Sequence, residues 1–126
     1  MTQKEKSLLL QDLCARLPYG IKFKANNEEC IREIHYIKDE DVYIREYRNL
    51  PYWIGTIKPY LRPMSSMTEE EDKEYAKIIV KSQDCSYENN ESATTMVNDW
   101  YLSKGFDIRG LIPKGLALEA SKDMYK

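Results

Sequence analysis

The most constraining feature of the chain is a change of hydrophobic period at Pro18-Tyr19-Gly20. Before it, Leu10, Leu13, Cys14 and Leu17 recur at i, i+3, i+4 and i+7, the stripe of an amphipathic helix. After it, Ile21, Phe23 and Ala25 alternate with Lys22 and Lys24, the two-residue period of a strand with one buried face. A chain that switches period in three residues is neither all-helical nor all-β. The helix has its own start signal, because Thr2-Gln3-Lys4-Glu5 has the T-x-x-E form in which hydroxyl and carboxylate satisfy the amides a helix start leaves unpaired.

The alternating pattern continues through CIREIHYIK and VYIREY, which read as a hairpin about Asp39-Glu40-Asp41, and resumes in YWIGTIKPYL after Arg48-Asn49-Leu50-Pro51. Pro59 and Pro63 each lack an amide donor, so the segment around them is expected along a sheet edge or across a surface. A second T-x-x-E, Thr68-Glu69-Glu70-Glu71, opens a helix with Tyr75, Ile78 and Ile79 on its buried side and an end near Ser82. Residues 83–92 carry no period and read as a surface loop. A third helix over 93–103 has Met96, Val97, Trp100 and Tyr101 on one face, and Gly105 stands where a left-handed cap lets Phe106 pack back on Tyr101. Pro113 and Gly115 mark a turn, and Leu116 and Leu118 a last short strand.

The expected fold is α+β and a single domain over 1–126. A small curled antiparallel sheet or partly open β-barrel over about 20–63 packs with an N-terminal helix and two C-terminal helices. A chain of 126 residues with 42% hydrophobic and 32% charged residues is the right size for one core. No run of about 20 apolar residues is present, so no membrane span or signal peptide is expected and the setting is read as cytoplasmic.

Several chemistries lack their residues. Cys14, Cys30 and Cys85 are odd in number and scattered, which argues against a disulfide framework or a zinc site and suggests reduced, mostly buried thiols. His35, the one histidine, is five residues from Cys30 on the same strand, too far for a nucleophile–base pair. The five glycines form no phosphate-binding motif, and the acids at 69–74 lack the spaced ligands of a calcium loop. No metal, cofactor or catalytic residue is expected, and a small enzyme is the least supported class.

Aromatic composition is the positive signal. Ten tyrosines stand against two phenylalanines, and a phenol hydroxyl wants water or a partner. Tyr43, Arg45 and Tyr47 share one side of their strand, with Trp53 and Arg62 beyond. Tyr, Trp and Arg dominate protein interfaces and also stack single-stranded bases. The same tyrosines also suit a half-buried strand in a small domain. Base stacking needs a basic track for phosphates, yet residues 20–63 hold eight basic and seven acidic side chains, while 64–92 hold three basic against eight acidic. The expected partner of Tyr43, Arg45, Tyr47, Trp53 and Arg62 is therefore a protein, with single-stranded nucleic acid as the alternative. For Arg62 two roles are open: an outward group held by the two prolines, or a structural arginine tied to the acidic helix start or to Asp107.

Three blocks, LLLQDLCARLPYG (8–20), IKPYLRPMSSMTEEE (57–71) and FDIRGLIPKGLALEA with the terminal KDMYK (106–126), resemble a family of short proteins encoded by phages, prophages and mobile elements of gut Bacteroides-type bacteria. Before Phe106 that family commonly has a histidine pair where this chain has Lys104-Gly105, so the resemblance implies no metal site. It brings no activity, cofactor or catalytic residue. It implies a bacterial host cytoplasm and a phage or prophage accessory protein that works by binding a host or phage protein.

Overall fold

A computed structural model describes residues 2–26, 28–46, 51–86, 90–121 and 124–125, and their side chains outside 82–94. Helix α1 (Gln3–Arg16) starts on the capping box: Glu5 N donates to Thr2 Oγ1 (3.1 Å) and Thr2 N to Glu5 Oε1 (3.0 Å). Strands β1 (Lys22–Ala25) and β2 (Arg32–Glu33) follow, then β3 (Tyr36–Lys38), β4 (Asp41–Tyr43), β5 (Tyr52–Trp53) and β6 (Ile57–Leu61). Helices α2 (Glu69–Ser86) and α3 (Asn90–Ser103) form an antiparallel hairpin, and β7 (Leu118–Glu119) closes the order.

The strands make two sheets, β2-β1-β6-β7 and β3-β4-β5, not closed into a barrel. They meet at two corners. Ile34 N bonds Ile21 O in the first sheet (2.9 Å), while the next amide, His35 N, bonds Tyr43 O in the second (2.8 Å). At the other corner β5 passes through a 3-10 turn, Ile54–Thr56, into β6. What reads in sequence as one strand, CIREIHYIK, is thus bent so that each half serves a different sheet. The β3–β4 hairpin turns on Asp39-Glu40, with Asp39 at φ 56, a left-handed conformation that Asp tolerates better than most side chains.

All ladders are antiparallel except β6–β7, which is parallel over Tyr60↔Leu118 and Leu61↔Glu119; just beyond β6, Arg62 forms a separate parallel bridge to Phe106. This places β6 inside its sheet, which corrects the edge position expected from Pro59. The reason is register. Asn26 N bonds Thr56 O (2.8 Å), so the bonded pairs of the β1–β6 ladder alternate from there and Phe23↔Pro59 exchanges no ladder bonds. On its other side β6 meets β7 only from Tyr60 onward. The amide that proline lacks falls where no strand would use it, and Pro59 is buried.

The core joins Leu9 and Leu13 of α1 to Ile21, Phe23, Ala25, Val42, Ile44, Ile54, Ile57 and Leu61 of the sheets and to Leu111 and Leu116 of the C-terminal segment. Burying these side chains, at about 25 cal/mol per Å² of apolar surface, is the main driving force for the fold. The buried stripe of α1 is Leu9, Asp12, Leu13 and Arg16, one residue out of phase with the all-apolar stripe, and Cys14 is exposed. Cys30 is exposed as well, so the expectation of buried thiols is wrong for both cysteines whose side chains are described. Residues 83–86 and 90–92 are helical rather than loop, since the stretch contains no glycine or proline to stop α2 or delay α3.

The end of α3 follows its sequence signals. Gly105 has φ 81, Phe106 N bonds Tyr101 O (3.1 Å) and Gly105 N bonds Leu102 O (3.1 Å), the paired bonds of a Schellman end. Phe106 meets Tyr101 edge to face at 6.0 Å between centroids, within a cluster that includes Tyr75 and Trp100. Among the described residues, no helix is long and apolar enough to cross a membrane.

Candidate interaction surface

The two-residue turn at Asp39-Glu40 sets Tyr36 opposite Tyr43 and Lys38 opposite Asp41, and β5 sets Trp53 beside Asp41. Directly paired residues share a sheet face, so Tyr36, Lys38, Asp41, Tyr43 and Trp53 form one face, while Ile37, Val42 and Tyr52 point to the core. The outward face is aromatic and open. Tyr36 and Tyr43 are stacked, with ring centroids 4.5 Å apart and planes 5° from parallel. Tyr36 is 40% and Trp53 46% exposed.

Trp53 is held in place from three sides. Lys6 of α1 stands over its ring at 5.7 Å, its Nε1 donates to Glu40 Oε2 (3.4 Å), and Lys6 Nζ pairs with Glu40 Oε1 (3.4 Å). The indole rests on Gly55, where a Cβ would overlap its six-membered ring. Gly55→Ala should therefore displace the Trp53 ring while the backbone stays in place. With Trp100 replaced by Phe so that a single tryptophan reports, the emission of Trp53 should shift to longer wavelength at a stability cost of about 1 kcal/mol. Unchanged emission would mean that the ring does not sit on Gly55.

Next to the tyrosine stack lies a mainly polar cleft of about 480 Å³, walled by Leu17–Gly20, Glu33, Ile34, His35, Arg45 and Glu46. His35 meets Tyr36 edge to face at 5.5 Å and accepts a bond from Arg45 Nε at Nδ1 (3.2 Å). Neither Cys14 nor Cys30 lines the cleft. Among the described residues no cluster of three or more His, Cys, Asp or Glu is placed to hold a metal ion.

Of the five residues expected to bind a partner, Tyr43 and Trp53 share the outward face and Arg45 adjoins it through His35. Tyr47 lies outside the described residues. Arg62 departs from its outward expectation. Nη2 and Nη1 donate to Glu71 Oε1 (2.6 Å) and Oε2 (2.7 Å), Nη2 also donates to Ser66 O (3.0 Å), and the guanidinium stands 4.3 Å over the Phe106 ring. Its side chain is 14% exposed. The acids of the TEEE run draw it in, which is the structural role. Asp107, the other expected partner, instead accepts from Leu111 N (2.8 Å) and Ile112 N (3.0 Å).

Tyr36 is the residue that sequence reasoning missed, although the two-residue turn alone implies its pairing with Tyr43. Tyr52, by contrast, is structural. Tyr52 Oη donates to Glu28 Oε1 (2.7 Å), its ring meets Phe23 edge to face, and burial beside that carboxylate pushes the phenol up to about 12. Comparison of the chain with protein-family models, with curated proteins and with solved structures finds no match.

Proposed function

We propose that the protein acts without catalysis, by binding another protein through the outward face of β3-β4-β5. The observation that carries this reading is the Tyr36–Tyr43 stack on the same open face as Trp53. Aromatic side chains lose little conformational entropy on binding and supply large contact areas, and here their orientation is fixed before a partner arrives. The surrounding charges are mixed, with Lys6, Lys38 and Arg45 among Glu40, Asp41 and Glu46. A protein surface tolerates that mixture, whereas a phosphate backbone favours a basic track. The three sequence blocks support a role as a phage or prophage accessory protein in a bacterial host, acting on a host or phage protein.

Affinity capture from host lysate, run in parallel with wild-type chain and with Tyr43→Ala, tests the reading. A hot-spot tyrosine contributes about 2 kcal/mol, so the variant should retain about one thirtieth of the affinity for the captured protein while staying folded. Equal capture by both chains would exclude this face. Salt-dependent binding of a single-stranded oligonucleotide, lost in Tyr43→Ala, would replace the protein partner with nucleic acid.

A further inference from the structure

The phenol of Tyr125 is inserted into the β1–β6 ladder. The bonded pairs of that ladder continue from Asn26–Thr56 to a pair formed by Lys22 and Tyr60, where an antiparallel sheet would place Lys22 N–H directly on Tyr60 O. Instead Lys22 N donates to Tyr125 Oη (3.1 Å), and Tyr125 Oη donates to Tyr60 O (2.5 Å). The ring packs on Gly105, where a Cβ would stand 2.8 Å from Tyr125 Cδ2, and Lys22 Nζ holds the neighbouring Met124 O (3.0 Å). One side chain thus spans β1, β6 and the cap of α3.

We propose that Met124 and Tyr125 form a detachable strap, which wedges the end of the β1–β6 ladder open when seated and lets it close when released. The released state has its own hydrogen bond ready, since Lys22 N–H and Tyr60 O need only approach by the width of one hydroxyl. Undocking therefore leaves neither group without a partner, which makes a two-state element from a contact that otherwise would be only a buried side chain. Undocking uncovers Gly105 and the turn that ties α3 to β6, so the strap gates access to the junction where the helical hairpin joins the sheet.

Hydrogen exchange on the full chain, with Tyr125→Phe and Tyr125→Ala, tests the strap. In the wild type the Tyr125 hydroxyl should exchange through an opening smaller than global unfolding, while the Lys22 amide, bonded whether the strap is seated or released, keeps protection comparable to the Asn26 amide of the same ladder. Tyr125→Phe keeps the wedge without the bridging hydroxyl, so Lys22 should lose its protection. Tyr125→Ala removes the wedge, and Lys22 should regain protection with a scalar coupling across a direct bond to the Tyr60 carbonyl. Exchange of the wild-type Tyr125 hydroxyl only with global unfolding would overturn the proposal, as would an unprotected Lys22 in Tyr125→Ala. A Tyr125→Ala chain unable to fold would also overturn it, because a detachable strap is dispensable to the fold.

Discussion

Replacing Asp12 with Ala should destabilise the protein by about 3–5 kcal/mol, the largest effect expected of any single polar substitution in this chain. Asp12 is fully buried on α1 and accepts from Arg16 Nε (2.7 Å), Arg16 Nη2 (3.2 Å) and Arg109 Nη1 (2.8 Å). Arg16, 2% exposed, also donates to Phe106 O (2.6 Å), so the cluster binds α1 to the segment after α3. Removing the carboxylate leaves the Arg16 guanidinium desolvated with no counter-charge among the described residues. Arg109 is 25% exposed at its side chain and can turn to water, so most of the cost falls on Arg16. For a domain of this size the melting temperature should fall by roughly 10–20 °C. The double substitution Asp12→Leu, Arg16→Met should recover most of the loss, because a buried ion pair exchanged for apolar groups of similar volume is often neutral. A thermal shift in Asp12→Ala equivalent to less than about 1 kcal/mol would contradict the buried pair.

Arg62→Ala has the second largest expected effect, about 2–4 kcal/mol, from loss of the two-pronged bond to Glu71, the Ser66 contacts and the face of Phe106. Glu71 does two jobs: its carboxylate accepts from Thr68 N (3.0 Å) in the second capping box while it holds Arg62. The Arg62 hydrogen bonds draw its pKa from the usual 4.5 down to about 2, against burial and with help from Thr68. A depressed carboxylate stabilises the fold above its unfolded value and loses that contribution as pH falls through the folded one. Stability should therefore decline between pH 4.5 and 2, by up to about 3 kcal/mol from this group. In Arg62→Ala that part of the acid limb should shrink, so the wild type and the variant converge in denaturant midpoint toward pH 2. A gap that stays constant across that range would show that Arg62 acts without Glu71.

Much of the fold is legible in the chain because its signals are local. Both capping boxes, the Schellman glycine and the turn at Ile112–Gly115, where Gly115 N bonds Ile112 O (3.0 Å), depend on residues within five positions of each other. What was less legible depends on partners far away in sequence. Asp12 and Arg16 look like the polar side of α1 until their i, i+4 spacing is read as a neutralising pair that burial tolerates. Pro59 looks like an edge residue until the register shows which of its neighbours would have needed an amide. Arg62 looks outward until Glu71, nine residues on, is placed beside it by the turn at Met64–Ser66.

The aromatic surface was legible in part for the same reason. Tyr43 and Trp53 were expected to act together, and pairing through Asp41 sets them on one face. Tyr36 enters through the hairpin register, while Arg62 leaves through its ion pair. The described tyrosines include two populations. Tyr52 and Tyr125 spend their hydroxyls inside the fold, whereas Tyr36 and Tyr43 lay a flat aromatic pair against solvent.

Hydrogen exchange of the chain alone and with its captured protein partner tests most directly whether that pair is the binding face. Amides of residues 35–45 should slow on complex formation by at least about tenfold, with the α2–α3 hairpin unchanged. Protection confined to the α2–α3 hairpin, with residues 35–45 exchanging as in the free chain, would show that the partner binds elsewhere.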